Sequence, residues 1–148
     1  MIEIRNIEKT KLNKEAFISL VEKYSNTEKD ILIFFDARIS DCGQYVYNSK
    51  KKRHEIKISP TKLMFNDAAS QTYEFTATLL HELKHLQQQE ELGTNTLFSK
   101  RLSCNPKIKN QEGSDYFSSR EIDARIFEEL KLTEATEFYW KKCNRMIR

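Results

Sequence analysis

Between Asp67 and Leu92 the chain carries neither glycine nor proline, and its apolar residues fall at helical spacing. Phe75, Leu79, Leu83 and Leu86 recur every three or four positions, which places them on one face and predicts a long, buried helix. Asn66 is suited to cap its start, and Gly93 stands where such a helix would end. With only 3 Gly and 2 Pro in the chain, long regular elements and few tight turns are expected elsewhere too.

Ile2 to Arg5 reads as a short first strand. Asn13 then resembles a helix N-cap, followed by Ala16, Phe17, Leu20, Val21 and Tyr24 at helical spacing. Ile31 to Phe35 is a continuous run of β-formers and predicts a buried central strand. Asp41-Cys42-Gly43 is a turn signal, with a strand over Tyr45 to Tyr47 after it. His54 to Ile58 alternates polar and apolar, the mark of a half-buried strand, and Ser59-Pro60 ends it. Short turns between these strands predict a small, twisted, mainly antiparallel sheet. Thr94 to Phe117 reads as a long irregular loop. Ser118 or Ser119 then caps a last helix carrying Ile122, Ile126, Phe127 and Leu130 and running towards Trp140. The expected architecture is one α+β domain over residues 1–148, with helices packed on one face of the sheet.

Composition narrows the function. Hydrophobic residues make up 39% and charged residues 32%, which fits a globular domain. The 25 basic and 22 acidic side chains leave a net charge of +3, too balanced to make nucleic acid the expected partner. Lys50 to Arg53, beside Tyr45 and Tyr47, is read as a solubilising loop rather than a base-stacking surface. No apolar run approaches the roughly 18 residues of a membrane span, so no membrane association is expected. The charged start, Met1 to Arg5, is unlike a secretory signal. Cys42, Cys104 and Cys143 are odd in number and widely spaced, so reduced thiols in the cytoplasm are expected.

His81-Glu82-Leu83-Lys84-His85 sits inside the long helix. Histidines four apart lie one turn above each other on one face, so both imidazoles can reach one ion. Glu82 sits on the rim of that face, where it can take a proton from a metal-bound water. The chain has 3 histidines, and two of them fall in this motif. Chance placement gives that in roughly a few chains per thousand. Zinc in a catalytic site takes three protein ligands and keeps one position open. No histidine follows His85, so the candidates for the third ligand are acids on the last helix. Glu121 opens the last helix, and Ala124 follows on nearly the same face, leaving room for close helix approach. Asp123 points about 200° away from Glu121 on ideal helix geometry, so the two are alternatives, with Glu121 favoured.

The His-Glu-x-x-His helix, followed after a loop by a helix opening Glu-x-x-Ala, resembles the gluzincin zinc peptidases. The nearest echoes are the ImmA/IrrE-type peptidases, the Ste24/HtpX type and the minigluzincins. The resemblance implies a zincin-like fold, zinc held by His81, His85 and Glu121, and a sheet edge lining a substrate cleft. Related patterns often carry Asp or Asn right after the alanine. Here that residue is Arg125, which removes an acceptor for a ligand histidine. The activity expected is hydrolysis of peptide bonds, as an endopeptidase, with Glu82 as general base. Its substrate, a peptide or protein, would lie along Gln44 to Tyr47 or Glu55 to Ser59, touching Tyr45, Tyr47, His54 and Ile56. Tyr116, five residues before Glu121, is the expected oxyanion donor, with Tyr73 and His54 as weaker choices. The alternative is a zinc-stabilised binding or regulatory protein without turnover.

Overall fold

A computed structural model describes residues 1–62, 67–92, 98–101 and 119–147. Its elements are β1 (Ile2–Arg5), a 3-10 turn (Ile7–Lys9), α1 (Lys14–Ser25), β2 (Asp30–Phe35), β3 (Gly43–Asn48), β4 (Arg53–Ile58), α2 (Ala68–Leu92), β5 (Phe98–Arg101) and α3 (Ser119–Ile147). The α+β class is as expected, and the strand pairing is not. The sheet is mixed, in the order β1-β2-β4-β3-β5. β1 runs parallel to β2 and β2 parallel to β4, while β3 pairs antiparallel with both β4 and β5. Two features cause the difference. The α1 crossover returns the chain to β2 in the direction of β1. The segment after β2 then carries the chain past the position β4 will fill, so β3 never pairs with β2.

Local chemistry sets the helix starts. The Asn13 side chain accepts from Ala16 N at 2.9 Å, as an N-cap should. At α2 the same role falls to Asp67, whose Oδ1 accepts from Ser70 N at 2.7 Å. Asn66, Gly93 and Ser118 lie outside the described residues, as does most of the expected Thr94–Phe117 loop. β5 falls within that span, so the segment is not irregular throughout.

The helices share one core with one face of the sheet. Ile4, Ile31, Ile33, Phe35, Tyr45, Ile56 and Ile58 meet Phe17 and Leu20 of α1, Phe75, Leu79 and Leu83 of α2, and Leu132 and Ala135 of α3. Phe35 anchors this layer between Phe17 and Phe75, with ring centroids 5.6 and 5.7 Å away. α3 is pinned to α1 at two places. Asn13 N donates to the Tyr139 hydroxyl at 2.8 Å, and the Tyr24 hydroxyl donates to Glu134 at 2.6 Å. Of its expected apolar stripe only Phe127 packs against the core: Ile122, Ile126 and Leu130 are exposed, and Ala124, Leu132, Ala135 and Tyr139 make the buried face. None of the described helices is long and apolar enough to cross a membrane.

Candidate metal centre

α2 is locked in rotation by its leucines. Leu79, Leu80, Leu83 and Leu86 are fully buried in the core, and this turns His81, Glu82 and His85 towards α3 and β3. Ala124, also fully buried, lets α3 pack along α2. The consequence is a three-residue cluster. His81 Nε2 stands 3.1 Å from Glu121 Oε2, and His85 Nε2 stands 2.9 Å from Glu121 Oε1. One ligand atom from each residue lies within 4.8 Å of the others. His81 is 2% exposed, His85 0% and Glu121 6%, so water does not screen the group.

Asp123 is not part of the cluster. Its carboxylate accepts from Gln88 Nε2 at 3.0 Å and lies 3.7 Å from Lys84 Nζ. The helical direction that separates it from Glu121 is the reason.

The outward nitrogen of each ring also faces a polar side chain. His81 Nδ1 faces Glu128 Oε1 at 3.3 Å, and His85 Nδ1 faces Gln88 Oε1 at 2.8 Å. Glu128 thus supplies, one turn beyond Ala124, the acidic neighbour that Arg125 does not offer directly after it. Neither Glu128 nor Gln88 stood out in the sequence. Spacing held the only signal: Glu128 follows Glu121 by seven positions, and Gln88 follows His85 by three, each on the same helix face.

Glu82 is wholly buried beside the pair. Gly43 makes room for it. A Cβ at Gly43 would stand 2.6 Å from Thr78 Cγ2 and 3.3 Å from Glu82 Cγ, so β3 can lie this close to α2 only without a side chain there.

Burial disfavours charge on His81, but pairing with Glu121 and Glu128 and the field of Glu82 outweigh it and raise its pKa to about 9. Burial alone would push the Glu121 carboxyl up, and the two imidazoles hold it well below the usual carboxylate range.

The donor set fits a divalent cation. Among the described residues no hydrogen bond reaches His85 Nε2, a buried atom, although Glu121 Oε1 is 2.9 Å from it. A buried nitrogen and a carboxylate this close need a proton or a cation between them. The two histidine nitrogens stand 3.1 and 2.9 Å from the Glu121 carboxylate, and one ligand atom from each of the three residues lies within 4.8 Å of the others. The buried group His81, His85 and Glu121 could therefore hold a metal ion.

Compared with known proteins, the chain matches no family model, no curated protein and no solved structure. What the centre can do is set by its own atoms.

The expected substrate contacts are redrawn by the fold. Tyr45, His54 and Ile56 are fully buried on the helix-covered face of the sheet and present no side chain to a ligand. The Tyr45 hydroxyl donates to His54 Nδ1 at 2.8 Å, and His54 Nε2 donates to Glu90 Oε1 at 2.7 Å. His54 shares the inward side of β4 with Ile56 and Ile58, because the strand period puts all three together. Tyr47 is partly buried, its ring 5.2 Å from that of His54. β4 is internal, and β3 is covered by β5 from Gly43 to Val46, so neither offers the free edge expected of it. Tyr73 is exposed near the start of α2. Tyr116 lies outside the described residues.

Proposed function

We propose that this protein is a zinc-dependent peptidase. The observation that carries the reading is the convergence of His81 Nε2 and His85 Nε2 on the Glu121 carboxylate, with Glu82 on the same helix. A zinc ion held there would supply Lewis acidity and a bound water with a pKa of about 7. Glu82 accepts a proton from the attacking water at its carboxylate and returns it to the leaving amine. An extended peptide, by strand addition, would take the outer edge of β5, the strand that flanks β3 at the Glu82 end of the sheet. A reducing cytoplasm suits the cysteines, and a peptide or protein is the substrate class.

A second reading keeps the metal and drops the turnover. It is favoured by one observation: the histidines, Glu82 and Glu121 are at most 6% exposed. Zinc would then tie α2 to α3 and stabilise a binding or regulatory protein. Elemental analysis combined with a fluorogenic peptide library separates the two. The peptidase binds one zinc, cleaves peptides, and loses cleavage but not zinc in Glu82→Gln. Zinc without cleavage in the parent leaves only the second reading, and protein purified without chelator that holds no zinc removes both.

A further inference from the structure

We propose that Gln88 is the positioning residue that selects which nitrogen of His85 faces the metal. The inference rests on the metal-centre reading and extends it to a side chain that touches no metal.

Hydrogen placement decides the matter. Gln88 is nearly buried, and its Nε2 meets two oxygens, Arg120 O at 3.0 Å and Asp123 Oδ2 at 3.0 Å. Both are acceptors, so the amide nitrogen must point at them and its orientation is fixed. Gln88 Oε1 is thereby turned to His85 Nδ1 at 2.8 Å. An amide oxygen only accepts, so His85 must carry its proton on Nδ1. With one proton on the ring, the lone pair is then at Nε2, the atom that faces Glu121. The chain of consequence runs from α3, through the amide, to the tautomer of a residue on α2. Arg120 and Asp123 flank Glu121 in sequence, so the same contact that sets the ring also fixes the turn carrying the third ligand.

His81 is governed differently. Its Nδ1 lies 3.3 Å from Glu128 Oε1, an ion-pair distance, and among the described residues no amide faces it. Gln88 therefore acts on one ring only.

Zinc titration against a competing chelator, with cobalt(II) as a spectroscopic stand-in, tests this. Gln88→Met keeps the volume and removes the acceptor. It should weaken zinc by about 10–100-fold and shift the visible cobalt bands. Gln88→Glu restores an acceptor for Nδ1–H while losing the donation to Arg120 O and Asp123. It should recover most of the affinity and the parent cobalt spectrum, even if its thermal stability stays lower. Equal zinc affinity in Gln88→Met and the parent would overturn the proposal. So would equal losses in Gln88→Met and Gln88→Glu, which would reduce Gln88 to a clamp on α3. A parent that binds no zinc would overturn the metal reading itself and this proposal with it. The Gln88→Glu protein keeps the test decisive if Gln88→Met does not fold.

Discussion

Replacing His54 with phenylalanine should damage stability and leave peptide recognition alone. The ring is fully buried, with both nitrogens engaged, one by Tyr45 and one by Glu90. A phenyl ring in its place would fill the space and strand the Tyr45 hydroxyl, which is also fully buried. A buried hydroxyl without a partner costs about 1–3 kcal/mol. Glu90 loses less, because it is partly exposed and still meets Lys29 Nζ at 3.4 Å and the Thr27 hydroxyl. For a chain of this size each kcal/mol moves the melting temperature by about 2–4 °C, so a fall of roughly 2–12 °C is expected. Adding Tyr45→Phe should recover part of it, since removing both partners is far cheaper than orphaning one. The parent should also carry an acid signature that the variant lacks. Burial holds the His54 pKa below its ordinary value against the opposing pull of Glu90. The unfolded chain therefore binds the proton first. Stability is full above about pH 6.5 and falls as pH drops through that value, by at most about 1.4 kcal/mol per pH unit from this group. Thermal melts at pH 7.5 and 5.5, on parent, single and double variants, measure all of this. A His54→Phe protein that melts with the parent, yet binds peptide more weakly, would refute the reasoning and return His54 to the substrate cleft.

Packing and metal binding set three further outcomes. Gly43→Ala forces Thr78 and Glu82 aside, so about 1–3 kcal/mol of stability should be lost and turnover should fall more than zinc affinity, read by melts and initial rates side by side. Leu130→Ser on the outer face of α3 should stay within about 0.5 kcal/mol, while Leu132→Ala on the inner face should cost about 2–5 kcal/mol in denaturant unfolding. Zinc at a hundred times its dissociation constant should stabilise the fold by about 2.7 kcal/mol, chelator should reverse that, and Glu121→Ala should abolish it. A calorimetric trace unmoved by zinc would count against the centre.

How much of this was legible in the residues depends on what each signal encodes. α2 was plain because its leucines repeat at helical spacing and the two histidines ride the same pattern. Strand pairing was not, because the alternation in His54 to Ile58 says which side chains share a face and nothing about which strand lies alongside. α3 misled for a physical reason. Ile122, Ile126 and Leu130 keep helical spacing, yet the inward face is given to Glu121, Ala124 and neighbours that serve the centre or allow close approach. Hydrophobic periodicity finds faces buried by apolar side chains and is blind to one occupied by a carboxylate. Gln88 and Glu128 leave no signal in the sequence beyond their spacing, because their contacts with imidazole nitrogens depend on the geometry between side chains.

Tyr139 and Glu121 belong to one unbroken helix, and about 27 Å of rod separates them. The far end rests on the first turn of α1 through Asn13, and the near end closes on two imidazoles. A rod that long turns a small pivot at one end into a displacement at the other. Whatever loosens the Asn13 latch, a binding partner or a substitution far from any histidine, therefore reaches the carboxylate as a change in its aim.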